Sequence, residues 1–224
     1  FQAQWTGEKT IPEGYHVAIV GAGFAGVAMG VQLVQLGIPF TIYERRAEVG
    51  GVWSINTYPD VRVDTLSFTY EYAFEKKYPW TEYFGRQSDV REYIDHVARK
   101  YGVYEHIRFD ADVQEARFDE TTQCWTLTVR GEDSVAEVEA NVVVAASGVF
   151  ATPRELSVEG VSGFTGRIVH TAQWSEDVEY AGKKVAVIGN GSTGVQLLSK
   201  VAEKADSVVV YQRTPQWISP RTNY

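Results

Sequence analysis

Six glycines stand where chemistry on a dinucleotide would need them. Gly21, Gly23 and Gly26 form one G-x-G-x-x-G pattern, and Gly189, Gly191 and Gly194 form a second. An apolar run precedes each pattern and helical periodicity follows it, the context in which such a turn takes a pyrophosphate. The first glycine permits a tight turn, the second lets the phosphates approach the backbone, and the third lets helix and strand pack closely. The free amides and positive end of the helix then face the anion. Kinase glycine loops share the pattern but lie in a hairpin.

The ends of the strands that follow differ in charge. Glu44 lies 23 positions after Gly21 and Arg213 lies 24 after Gly189, so both side chains are expected to reach a ribose. A carboxylate there accepts hydrogen bonds from both ribose hydroxyls and repels a 2′-phosphate, which suits FAD or NAD. Arg213, with Thr214 beside it, can instead make charge-assisted bonds to a 2′-phosphate, which suits NADPH. The plainer readings are a solvated acid and an unpartnered cation at strand ends. Two sites of opposite ribose preference in one chain favour a flavin that takes hydride from NADPH.

The elements that must position these residues are legible from periodicity. Ala18 to Met29 aligns without a gap with Ala186 to Leu197, an internal repeat. Residues 16–20 read as a buried strand, 24–36 as a helix with Val27, Val31 and Val34 on one face, and 40–43 as the closing strand of a βαβ unit. Gly37 and Pro39 stop the helix. The second copy repeats the plan over 184–188, 192–204 and 207–211, so both units predict parallel strands. Between them, Asp89 and Glu92 are expected to open a helix with Val90, Ile94, Val97 and Tyr101 on one face, ended by Gly102. Tyr70, Tyr72 and Phe74 alternate as a strand would and are read as packing. Residues 111–140 alternate as a small antiparallel meander, and 142–146 form an apolar run expected to be covered on both faces. Glycines and a proline between 148 and 183 mark a linker, with a domain boundary there.

Composition narrows the remaining classes. At 224 residues, 44% hydrophobic and 22% charged, the chain is neither low-complexity nor disordered. A net charge of −8 without a local basic patch disfavours nucleic-acid and membrane-surface binding. Residues 16–37 are apolar but interrupted by glycines and preceded by charges, so no membrane span is expected. The single cysteine, Cys124, excludes an intrachain disulfide and CxxC redox chemistry and points to a reducing, cytoplasmic setting. The four histidines lack partners at metal-ligand spacing, and no metal site is expected.

Between the two glycine patterns lies a third constellation. Gly50, Gly51, Val52 and Trp53, then Tyr58, Pro59 and Asp60, then Asp64, are spaced as in the signature of class B flavoprotein monooxygenases, which the chain resembles. Phe164, Gly166, His170 and Trp174 are similar to the linker fingerprint of the Baeyer–Villiger type, and Ser147, Gly148 and Pro153 to a turn of the wider group. The sequence departs from the pattern at Asp60, where Gly or Met is usual, and at Ser175, where Pro or Asp is usual.

This resemblance implies FAD in the first site, NADPH in the second, and oxygen as co-substrate, with a ketone converted to an ester or lactone. It implies that Phe24, Ala25, Gly50, Gly51, Val52, Trp53 and Val113 border the flavin site, and that Ser192 and Thr193 serve the NADP site. Asp64 would be catalytic, orienting an arginine that stabilises the anion formed with oxygen. His170 would couple the linker to NADPH binding. The resulting expectation is an α/β chain of glutathione-reductase-like architecture with two Rossmann-like dinucleotide-binding domains. Residues 1–150 hold the FAD-binding part with its meander, and 151–224 hold a linker and the first βαβ of an NADP-binding domain. Because that second βαβ stops shortly after its second strand, the catalytic unit is expected to be incomplete and the arginine to lie further on. Heteroatom oxygenation, a flavin reductase and an FAD-binding remnant remain as alternatives.

Overall fold

The computed structural model describes residues 10–150 and 152–219. In chain order, strand β1 (Val17–Val20), helix α1 (Phe24–Leu36) and strand β2 (Phe40–Tyr43) are followed by a single-turn helix α2 (Val52–Ile55) and by α3 (Gln87–Lys100). Strands β3 (Ile107–Arg108), β4 (Asp112–Asp119), β5 (Cys124–Arg130), β6 (Val135–Ala140) and β7 (Val142–Ala145) come next, then β8 (Lys184–Ile188), α4 (Ser192–Ala202) and β9 (Ser207–Tyr211). The chain divides into two compact units. One comprises residues up to Glu48 with Ala98–Ser147, the other Val49–Val97 with residues from Gly148 onward. The segment 49–97 thus groups with the later part of the chain.

The first unit is a parallel sheet in the order β3-β2-β1-β7. Val17 pairs with Phe40 on one side and with Val142 on the other, which makes β1 an inner strand and explains its near-complete burial. Helix α1 ends in a Schellman cap, with Gly37 at φ 66 and the Ile38 amide bonded to the Leu33 carbonyl. Val27 and Val31 are fully buried on its inner face. Gly30, one turn after Gly26, brings the helix onto the sheet, because a β-carbon there would stand 2.6 Å from Val103 Cγ1. The meander is a separate antiparallel sheet, β4-β5-β6, with a bulge between Val113 and Glu115. Strand β7 differs from expectation. Among the described residues it borders only β1, which makes it an edge strand there, and Val142 is 38% exposed.

The second unit holds the parallel pair β8 and β9, with Lys184 opposite Ser207, and α4, which ends at Ala202 and not at Lys204. Leu197 and Val201 of α4 pack with Tyr58, Trp174 and Tyr180. Two further expectations are corrected here. Helix α3 begins at Gln87, and Asp89 acts from inside the first turn, accepting from the Arg86 amide at 3.3 Å and the Thr81 hydroxyl at 2.8 Å. Tyr101 lies beyond the last helical residue. Residues 70–74 form no strand. Their rings pack as a cluster, Tyr72 stacked on Phe74 at 5.0 Å and on Tyr93 at 5.6 Å.

Tyr93, fully buried on α3, carries that irregular segment. Its hydroxyl accepts from the Tyr72 amide and donates to the Glu75 carbonyl, both at 2.8 Å. Glu71 adds a second anchor through the Trp80 indole at 2.8 Å and the Tyr78 amide at 3.1 Å. Tyr93→Phe leaves a buried amide without its acceptor, so the expected loss is about 1–3 kcal/mol of unfolding free energy. Equilibrium denaturant titration of the variant against the native protein checks it.

Candidate functional site

The two glycine turns share one geometry. Gly21, at φ 101, sends its amide to the Tyr43 carbonyl at 2.8 Å, and Gly189, at φ 106, sends its amide to Tyr211 at 2.9 Å. A β-carbon on Gly26 would stand 1.9 Å from the Gly21 oxygen, and one on Gly194 would stand 2.5 Å from the Gly189 oxygen. Neither helix has a side-chain cap or an acid in its first turn, so α1 over Phe24 and Ala25 and α4 over Ser192 and Thr193 present the positive ends of their dipoles. At Gly191 a β-carbon would project into open space. These are the features a pyrophosphate requires, and the residues fit it at both turns.

Glu44 is 6% exposed. Its carboxylate accepts from the Ala22 amide at 2.7 Å and from Arg46 at 3.0 Å, so it braces the first turn while keeping acceptor capacity for a ribose. Val113 sits at the meander bulge, half-buried against the Leu127 cluster. At the second turn the register corrects the sequence reading. Tyr43 and Tyr211 occupy equivalent positions opposite Val20 and Ile188, so the counterpart of Glu44 is Gln212 and Arg213 lies one residue further. Arg213 is exposed and makes no ion pair among the described residues. Asn190 binds Gln212 Oε1 at 2.6 Å and the Thr214 carbonyl at 2.9 Å, tying turn to strand end. Sequence reasoning passed over Asn190, although the repeat alignment sets it against Ala22.

In the second unit the Gly50 and Gly51 turn, at φ 128 and 58, leads into α2. Trp53 donates its indole N–H to the Tyr70 hydroxyl at 3.1 Å, with the rings edge to face at 5.5 Å, and Gln87 bonds the Trp53 carbonyl. Burial pushes the Tyr70 phenol up, against the opposing effect of the Trp53 bond. Asp64 is exposed, and its carboxylate accepts from the Ser192 hydroxyl at 2.9 Å. The structure thus brings Asp64 to the second glycine turn. Gln196, aligned with Ala28 in the repeat, holds this arrangement. Its Nε2 donates to the Arg62 carbonyl at 3.0 Å, and its Oε1 accepts from Tyr58 at 3.1 Å.

Asp60 adopts φ 65, the left-handed region that explains glycine as a usual occupant. Its carboxylate bonds Arg62, which also bonds Glu82 at 2.7 Å, and Glu82 in turn binds Arg86 at 2.7 Å. For Arg62, burial alone would lower the pKa, but the two acids outweigh it and hold the guanidinium charged. Asp60, Asp64, Ser192, Gln196 and Trp217 line a cleft of about 950 Å³. In the linker, the Phe164 ring covers Gly166, where a β-carbon would meet it at 2.4 Å. His170 accepts from the Ala172 amide at 3.1 Å, and the Trp174 carbonyl accepts from Thr57 at 3.0 Å. Ser175 bonds Asp177, which binds Arg167 at 2.9 Å. No group of three His, Cys, Asp or Glu able to hold a metal is found among the described residues, and no helix there is long and apolar enough to cross a membrane.

The flavin-binding monooxygenase-like family model matches residues 14–223. The chain belongs to that family. It is 35% identical over 217 residues to a Baeyer–Villiger monooxygenase of Streptomyces coelicolor, covering 96% of this chain and 41% of that protein. An oxidized steroid monooxygenase bound to NADP superposes with a TM-score of 0.81 at 36% identity, covering 94% of this chain and 40% of that one. OTEMO in complex with FAD and NADP gives a TM-score of 0.82 at 32% identity, covering 93% and 41%. The chain therefore spans less than half the length of the relatives it matches.

Replacing Glu44 by Gln turns an amide N–H toward one of two backbone donors that the carboxylate now satisfies. Looser flavin retention is expected, by about 1.5–3 kcal/mol, the scale of a hydrogen bond to a charged group. Dilution of the purified flavoprotein followed by measurement of free flavin checks it.

Proposed function

We propose that the protein is a flavin-dependent monooxygenase of the Baeyer–Villiger type. It takes FAD at the Gly21 turn and NADPH at the Gly189 turn. A ketone, oxygen, NADPH and a proton give an ester or lactone, water and NADP⁺. The observation that carries this reading is the pair of uncapped glycine turns with unlike strand ends: a buried acid, Glu44, at the first, and no acid but an exposed cation, Arg213, at the second. The similarity to a Baeyer–Villiger monooxygenase and to structures holding FAD and NADP supports it.

Bound flavin supplies the reaction with oxygen. This chain's residues bind and orient. Glu44 holds the adenosine ribose of FAD, with Phe24 and Ala25 at the pyrophosphate and Gly51, Val52, Trp53 and Val113 along the rest of the molecule. Gly191, Ser192 and Thr193 hold the NADPH pyrophosphate, and Arg213 with Thr214 receives its 2′-phosphate. Asp64, bonded to Ser192, is an acid beside a developing anion, useful only with a cation between them. Phe164, Gly166, His170 and Trp174 form the linker whose conformation follows coenzyme occupancy. Residues 1–150 make the FAD-binding part, and 151–224 the linker and start of the NADP-binding part. The lone cysteine fits a cytoplasmic setting, and the net charge of −8 fits small-molecule partners and not nucleic acid.

The deciding assay supplies the full-length flavoprotein with NADPH, oxygen and a panel of ketones, amines and sulfides. Ester or lactone formation is expected. Oxygenation of only the heteroatom substrates, or hydrogen peroxide without product from any of them, would overturn the reading. In the same protein, Arg213→Ala should weaken NADPH binding by about 1.5–3 kcal/mol and leave NADH nearly unchanged. Steady-state kinetics with each coenzyme measure that difference.

A further inference from the structure

The two copies of the βαβ unit share one strand register, Val20 opposite Tyr43 and Ile188 opposite Tyr211, which sets Gln212 in the place of Glu44 and Asn190 in the place of Ala22. In the first copy the link between turn and strand end runs from the Ala22 amide to the Glu44 carboxylate. In the second it runs from the Asn190 side chain to Gln212 Oε1. An arginine follows in both copies, Arg45 in the first and Arg213 in the second. The cation is therefore common to the two strand ends. The difference between them is the residue before it.

The orientation of the Gln212 amide follows from its partner. Asn190 Nδ2 also reaches the Thr214 carbonyl, which can only accept, so the atom facing Gln212 is a nitrogen that donates. The Gln212 oxygen is thereby bound, and its NH₂ group points away from Asn190 with two hydrogens to give. Where Glu44 offers an anion that accepts from ribose hydroxyls and repels a phosphate, Gln212 offers a neutral donor suited to a phosphate oxygen.

We propose that Gln212, oriented by Asn190, is a specificity-determining residue of the second dinucleotide site, donating to the 2′-phosphate of NADPH and setting the preference over NADH together with Arg213. This rests on the reading of the Gly189 turn as the NADPH site. It also explains why an arginine at the first strand end does not make that site an NADPH site, since Glu44 precedes it.

The test is direct calorimetric binding of NADP⁺, NAD⁺ and 2′,5′-ADP to the full-length flavoprotein, beside flavin-reduction kinetics with NADPH and NADH. Gln212→Glu places a carboxylate where the donor was. It should weaken NADP⁺ and 2′,5′-ADP by about tenfold to a hundredfold, the scale of a charge-assisted hydrogen bond, while NAD⁺ changes less than about twofold. Asn190→Ala keeps Gln212 but lets its amide turn and also loosens the glycine turn shared by both coenzymes, so it should weaken NADP⁺ and 2′,5′-ADP more than NAD⁺. Unchanged thermal unfolding and flavin content establish that each variant is folded. Should Gln212→Glu misfold, the Asn190→Ala result decides alone. Equal losses for NADP⁺ and NAD⁺, or no loss for either, in a folded variant would overturn this inference alone. A native protein that binds neither NADP⁺ nor 2′,5′-ADP would overturn the coenzyme reading and this inference with it.

Discussion

The carbonyl oxygen of Gly21 occupies a point that no β-carbon on residue 26 could approach, at 1.9 Å, and the same holds between Gly189 and Gly194 at 2.5 Å. That contact sets how closely a helix can begin behind the strand that feeds it. Because the neighbour is backbone and not a flexible side chain, nothing can give way to admit a methyl group. The closeness aims the first helical amides at the space above the turn and leaves room there for phosphate. Gly30 extends the principle along α1, seating the helix against Val103 and the sheet.

The bracing of each turn follows from this geometry. A tight turn leaves few ways to satisfy its own polar groups, and each copy recruits a side chain from the neighbouring strand end. Glu44 serves the first turn through backbone amides, whereas the second relies on the side-chain pair Asn190 and Gln212. One position thus supports the backbone and also decides the sign of the charge that a ribose meets. Support and selectivity are combined in it.

The segment that carries Asp64 has no regular structure to hold it, and polar contacts replace a ladder. The Val63 amide reaches the Gly85 carbonyl at 3.0 Å, Gln87 reaches Val61 at 3.0 Å, and Gln196 grips Arg62 and Tyr58 from α4. The chain of Asp60, Arg62, Glu82 and Arg86 alternates in sign from the buried Arg62 out to the exposed Arg86, so the charge of Arg62 removed from water finds partners on both sides. Asp60 tolerates its left-handed backbone while joining this chain, which accounts for an acid where glycine is usual. Tyr93 and Glu71 complete the scaffold with bonds to the backbone of residues 72–78.

Local rules sufficed for much of this protein. The glycine spacing, the alternation of Trp125, Leu127 and Val129 and the apolar runs of β1, β2, β8 and β9 each reflect interactions between residues close in sequence. The strand limits at 184–188 and 207–211 accordingly match the structure. Rules of that kind failed where distant partners decide. The alternating aromatics 70–74 are arranged by Tyr93, about twenty positions further along the chain. The exposure of β7 follows from having β1 as its one strand neighbour among the described residues. At the second site the sequence reading pairs Arg213, 24 positions after Gly189, with Glu44, 23 after Gly21, although the same count of 23 falls on Gln212. The register, set by hydrogen bonds between strands, likewise aligns Gln212 with Glu44. By itself the sequence determined that two dinucleotide turns of unlike charge exist. The tertiary structure decided which side chain faces each ribose position and that Asp64 meets Ser192, since those contacts join residues far apart in the chain and arise only when helices and strands pack.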